Sequence, residues 1–324
     1  MKMLKCGQTP IDLTAISDQA INIAQQLIDI SLDYKNRCLF ILDPFLNSIN
    51  EAFMQYYQFR VRLFQIPIYH QAVLPKRYPW LIELDLSDKY EHAVLTYMVD
   101  KALKQLTPQS IAAGQGQQYC AWLFSAERTK SIVHQLSNMT LQRNNKILLR
   151  YYDPAVFFQL LHLLNPAQKS RLFGIIEMWA VLNRQGELNI HQNEGQIHSN
   201  YNGELLITHE QYQQLQCIGI NNMLIQAEKL TDPQKNTDEI ENLQTIMPCL
   251  LRLKTKKIED NDFHLEWAKL ALKFGKDFDI ASHIDEIIKD LSTVSEYIPI
   301  LKKLHAISPQ DWQTLALKNK EENV

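Results

Sequence analysis

The dipeptide Asp153-Pro154 constrains this chain more than any other feature. Aspartate can accept hydrogen bonds from the free amides that open a helix. Proline suits the first helical position, where its missing N–H loses no bond. Short β-rich runs lie before this point, whereas Val156, Phe157, Leu160, Leu161 and Leu164 form one apolar helical face after it. Asn165-Pro166-Ala167-Gln168 repeats the device with a capping asparagine and a glutamine three residues on, so a second helix starts as the first stops. Gly174 is placed to end it. The alternation of periods reads as α/β (α+β): a mixed β-sheet lobe with flanking helices, followed by a mainly α-helical C-terminal lobe.

The strand-like runs are Cys38 to Leu42, Val61 to Ile68, Trp80 to Leu84, Tyr119 to Ser125, Lys146 to Tyr152 and Ile175 to Leu182. Helical stretches separate them: Asp88 to Leu106, with Asp88 and Glu91 at capping-box spacing, and Ala126 to Leu136. Upstream, Leu13, Ile16, Ala20, Ile23, Leu27 and Ile30 form an amphipathic stripe. The polar stretch 183–203, punctuated by Gly186, Gly195 and Gly203, reads as an exposed hairpin or extended connection. The expected organisation is an N-terminal helical segment at 1–36, an α/β lobe at 37–203 and a helical lobe at 204–324. The last opens at a Thr208/Gln211 capping box, with Gly219 able to divide its first helix. Later, Phe263, Trp267, Leu270 and Phe274 share one helical face, Ile280, Ile284, Ile287 and Leu291 another, and Ser308-Pro309 looks like a further start.

With 324 residues, 46% of them hydrophobic, the chain can bury a real core, and as a prior it holds about two domains. A net charge of -3 gives no general attraction to phosphate backbones, so nucleic acid is not the expected partner. The longest nearly apolar run, Pro154 to Leu164, is far shorter than the roughly 20 residues of a spanning helix, so no membrane insertion is expected. The start lacks the apolar block of a secretory signal, placing the mature N-terminus near Met1. Five scattered cysteines without C-x-x-C spacing disfavour a disulfide framework or a thiolate zinc site and fit a reducing cytoplasm.

Catalytic motifs are scarce. His209-Glu210 continues as Gln-Tyr-Gln, without the second histidine of a zinc protease, and Gly114-Gln115-Gly116 reads as a turn, lacking the rest of a nucleotide fingerprint. Ser125 has no flanking glycines to form a hydrolase elbow and instead reads as a strand end and helix cap. His191 and His198 read as exposed loop histidines, and Asp279 with His283 as a surface ion pair. Lys254, Lys256 and Lys257 read as a solvated loop. Cys38 and Cys120 sit in apolar runs as small hydrophobes. None of these residues supplies a catalytic, cofactor-binding or metal-ligating motif, and no cofactor or metal is expected.

The stretch Leu149-Arg150-Tyr151-Tyr152-Asp153-Pro154, followed by Phe173-Gly174 and Trp179, resembles the signature of the domain of unknown function 4123 family, adaptor chaperones of bacterial type VI secretion. The likeness covers roughly residues 37 to 185. Leu42-Asp43 resembles the family's opening strand end, Pro79-Trp80-Leu81 a further strand, and Leu123-Phe124-Ser125 with His134 and Leu136 its strand, serine and helix element. Ile175 stands where the family often has proline. The resemblance implies a non-enzymatic adaptor that binds a toxin effector, keeps it soluble and delivers it to the VgrG spike protein. Arg150, Tyr151, Tyr152, Asp153, Pro154, Gly174 and Trp179 carry the motif. For Arg150 and Asp153 a shared exposed contact competes with a capped junction in which Arg150 satisfies a nearby carboxylate or carbonyl. Local chemistry favours the junction. Phe263, Trp267, Leu270 and Phe274 are the candidate partner-binding residues, able to present a helix groove to an effector, while the periodicity favours internal packing. The functional alternatives are an immunity protein neutralising a toxin, and a hydrolase or transferase whose site is assembled from distant residues.

Overall fold

The computed structural model describes residues 16–44, 62–114, 116–142, 147–195, 204–258 and 260–280, with 284, 301–302, 304–308 and 310. The chain divides into two compact units, Met1–Ile207 and Thr208–Val324, four residues beyond the boundary expected from the polar stretch.

In the first unit, α1 (Asp18–Ser31) starts where the Ser17 hydroxyl accepts the Ala20 N–H, and it buries Ala20, Ile23, Ala24 and Leu27. Strands β1 (Arg37–Leu42), β2 (Leu63–Gln65), β3 (Trp80–Asp85), β4 (Tyr119–Phe124), β7 (Met178–Leu182) and β8 (Leu188–Gln192) form a six-stranded sheet in the order β2-β3-β1-β4-β7-β8. Every pairing in it is antiparallel, which refines the mixed sheet expected. Side chains alternate with a period of two whichever way a neighbour runs, so sequence pattern carries no strand direction.

Central β1 is buried on both faces, from Cys38 to Leu42. On one face Phe40, Leu42, Trp122 and Phe124 pack beneath α1 and the helix α2 (Lys89–Gln105), which contributes Val94, Leu95 and Met98. Helices α5 (Pro154–Leu163) and α6 (Pro166–Phe173) follow the two proline signals. α6 opens with the full capping box: Asn165 Oδ1 accepts the Gln168 N–H at 2.9 Å, and Gln168 Oε1 accepts the Asn165 N–H at 3.1 Å.

Several extents differ from the sequence pattern. Among the described residues of the run Lys146 to Tyr152, only Ile147–Leu148 (β6) pairs, with Leu141–Gln142 (β5), as a separate two-stranded sheet. Tyr151 and Tyr152 are buried in a turn, and burial there selects the same large aromatic side chains that a strand does. A short helix α3 (Pro108–Ala112) follows α2, and the helix expected from Ala126 is α4, Thr129–Met139. Ser125 ends its strand but does not cap that helix; its Oγ donates to the Ile175 carbonyl at 2.6 Å.

The second unit contains α7 (His209–Thr231), α8 (Glu239–Thr255) and α9 (Asn261–Phe274). The capping box at Thr208 and Gln211 is present, and Gly219 leaves α7 undivided. Lys254 lies in the last turn of α8 and not in a loop, with its ammonium donating to the Gln213 carbonyl at 3.1 Å and to Gln216 Oε1. Expectations for Leu13, His198, His283, Ile287, Leu291 and Pro309 lie outside the described residues.

Candidate functional site

Asp153 closes the turn that delivers the chain into α5. Its Oδ1 accepts the Ala155 N–H at 3.0 Å, while its own N–H donates to the Arg150 carbonyl at 3.0 Å. Arg150 then turns inward. Its Nη2 donates to Asp43 Oδ2 at 2.6 Å and lies 3.4 Å from Asp153 Oδ2, so one guanidinium bridges two carboxylates. Asp43 directly follows β1 and is completely buried, with its N–H donating to the Gln118 carbonyl at 2.9 Å. The Arg150 side chain keeps 24% of its surface in solvent.

Burial alone would pull the Arg150 pKa down, but Asp153 and Asp43 outweigh it and hold the guanidinium above its ordinary value. Burial likewise pushes the Asp153 carboxyl above the usual aspartate range, against the opposing pull of Arg150 and the Ala155 N–H.

The rest of the motif is spent on packing. The Tyr151 hydroxyl donates to the Leu136 carbonyl at 3.2 Å, and its ring lies 5.8 Å from Trp179. Trp179, fully buried on the sheet face opposite Trp122, stacks on Phe157 of α5 with centroids 5.1 Å apart. Tyr152 and Pro154 are buried as well. Gly174 ends α6 at φ +52°, and a Cβ there would sit 2.3 Å from Gln135 Nε2. Gln135 cannot easily withdraw: its Nε2 donates to the Phe173 carbonyl at 2.6 Å, and its Oε1 accepts the Ile175 N–H at 2.8 Å.

A second polar constellation lines a cleft of about 300 Å³ that includes Arg37, Arg62, Glu83, Asp85 and Ser125. Arg37 donates to the carbonyls of Ser125 and Glu127 and to Thr129 Oγ1; Arg62 pairs with Glu91 at 2.8 Å and Asp85 at 3.4 Å. The Ser87 hydroxyl, ahead of Arg62, holds the Asp85 carboxyl below its ordinary value. Glu91 does not close a capping box on Asp88. It is fully buried and accepts the Asp85 N–H at 2.8 Å.

The proposed groove on α9 is not a groove. Phe263, Trp267 and Leu270 are buried, Trp267 stacks on Phe263 with centroids 5.3 Å apart and meets Phe278 at 5.0 Å, so the face packs internally. Phe274 alone remains half-buried, beneath the Lys273 ammonium at 4.7 Å. Asp279, expected on the surface, is buried against Arg252, whose Nε lies 3.0 Å from Oδ2.

His191 is not in a loop. It lies on β8 with its ring edge-on to Phe157 at 5.3 Å and Phe158 at 5.8 Å, and its Nε2 is shielded from solvent without a hydrogen-bond partner. Cys38 and Cys120 are core residues whose thiols burial pushes up, away from the reactive thiolate. Among the described residues no cluster of three His, Cys, Asp or Glu side chains converges on a metal-sized space, and no helix is long and apolar enough to cross a membrane.

These residues define an α+β lobe, built on an antiparallel sheet, whose strand-to-helix junction is clamped by a buried ion cluster. Residues 41–171 match the family described as Domain of unknown function (DUF4123), and the first unit carries a domain of that family. The match contains Asp43, Arg150 and Asp153. No curated protein and no solved structure matches the chain.

Proposed function

We propose that this protein is a non-enzymatic adaptor chaperone of type VI secretion, which binds a toxin effector in the cytoplasm, keeps it soluble and loads it onto the VgrG spike. The family match over residues 41–171 carries this reading. The Asp43, Arg150 and Asp153 cluster gives it a physical frame: a signature occupied in holding the lobe together is what a family sharing a scaffold and differing in cargo requires. Cargo specificity then resides in surface outside the motif.

The test is an in-frame deletion of the gene in its native host. An adaptor's loss abolishes effector export and moves the effector into the insoluble fraction, with survival beside sibling cells unchanged. Intact export with self-intoxication identifies an immunity protein instead. Intact export and intact survival reject both.

A further inference from the structure

β8 is an edge strand of the six-stranded sheet, and its pairing with β7 runs unbroken from Met178↔Gln192 to Leu182↔Leu188. The Asn183 N–H donates to the Glu187 carbonyl at 3.0 Å, and the Asn193 N–H donates to the Glu177 carbonyl at 2.8 Å. Because backbone groups alternate sides along an antiparallel strand, residues 187, 189, 191 and 193 face β7. Leu188, Ile190 and Gln192 therefore turn their N–H and C=O groups outward, and no hydrogen bond reaches those groups among the described residues.

Exposed edges in soluble proteins usually carry a lysine, a proline or a bulge that blocks further pairing. Leu188-Asn189-Ile190-His191-Gln192 has none of these, and Ile190 is 42% exposed.

We infer that the β8 edge pairs with the β8 edge of a second copy of this chain, antiparallel about a two-fold axis at Ile190, joining two sheets into one. The segment is self-complementary at each level. A two-fold at the central outward residue sets Ile190 opposite Ile190 and Leu188 opposite Gln192, so each outward N–H meets an outward C=O. The strand carries no charge, Glu187 falls opposite Asn193, and Glu194 falls opposite Gly186, so no like charges face each other. The apolar surface of Ile190 is covered by its own counterpart. A single strand pair buries little area, which makes this a weak, concentration-dependent dimer.

Sedimentation velocity of the full chain, from micromolar to near-millimolar concentration, tests the inference. The wild type is expected to pass reversibly from monomer to dimer. Ile190→Lys places two ammonium groups face to face, and Ile190→Pro removes an outward N–H that β7 does not use. Each should weaken association at least about tenfold with the melting temperature nearly unchanged, while Ile21→Lys on exposed α1 leaves association intact. Hydrogen exchange reads the edge without a substitution: the Leu188, Ile190 and Gln192 amides should slow as concentration rises. A chain that stays monomeric throughout, a dimer that survives both Ile190 variants, or β8 amides indifferent to concentration would overturn the inference. Capture of a different protein's strand by a monomeric chain would also contradict it.

Discussion

Arg150 Nη2 lies 2.6 Å from Oδ2 of Asp43, a residue 107 positions earlier in the chain. The bond ties the end of β1 to the turn that starts α5, and Asp153 lies on the same guanidinium at 3.4 Å. Removing the arginine strands two carboxylates in a buried setting. Arg150→Ala is expected to cost about 3 kcal/mol or more, because an unpaired buried charge is far costlier than a missing surface pair. Chemical denaturation measures it, and a loss below about 1 kcal/mol, the scale of an exposed pair, would contradict the clamp.

Asp153 serves as both cap and ion partner, and two substitutions separate the roles. Asp153→Ala loses the bond to the Ala155 N–H and is expected to cost about 1 kcal/mol, whereas asparagine caps as well as aspartate and should cost less. Since burial raises the Asp153 pKa, the folded state holds its proton more tightly than the unfolded chain. That contribution is greatest below the ordinary aspartate value of about 3.9 and is lost as pH rises through the folded pKa. The melting temperature of Asp153→Asn relative to wild type should therefore climb with pH across that window and then level off. A difference that falls with pH would contradict the assignment.

Gly174 is held by two independent constraints, a left-handed backbone and the pinned Gln135 amide. Gly174→Ala is expected to cost more than the roughly 1 kcal/mol of the backbone conformation alone. Gln135→Ala leaves the Ile175 N–H without its acceptor and should cost about 1–3 kcal/mol. In a double-mutant cycle the two losses should sum to more than the double variant loses, since removing Gln135 relieves the clash. Strict additivity would show that the clash is absent.

His191 keeps a shielded, unpartnered ring nitrogen against two phenylalanines. His191→Phe should be neutral or stabilising at pH 8, because it removes an unsatisfied polar atom. Burial first, then Lys169, holds the histidine pKa below its ordinary value. The unfolded chain therefore takes up the proton first, and the wild type loses stability as pH falls from about 6.5 through the folded pKa. The phenylalanine variant lacks this loss, so its advantage should widen on acidification. An advantage that narrows would contradict the pKa direction.

What the sequence made legible follows the range of each interaction. The caps at Asp153, Asn165 and Thr208 bond within three residues, and the structure contains all three. Glu91 had the same spacing from Asp88, yet a nearby strand end and Arg62 compete for it, and tertiary partners win. Tyr151 and Tyr152 read as strand because burial and pairing select the same residue types. The Asp43 and Arg150 bond had no local signal, since neither residue type nor spacing encodes a contact 107 positions away. Leu42-Asp43 and Arg150 to Pro154 both resemble the family's signature, yet nothing in that likeness joins them. Gln135 was invisible for a similar reason: a buried glutamine that binds another element's backbone looks like any polar residue on a helix.

The measurement closest to the central claim is affinity purification of a tagged full-length chain from its native cells, with mass spectrometry, in strains with and without VgrG. One toxin at near-stoichiometric yield is expected in both strains, with VgrG joining where it is present. Recovery of neither protein, from cells shown to express both, would contradict the adaptor reading.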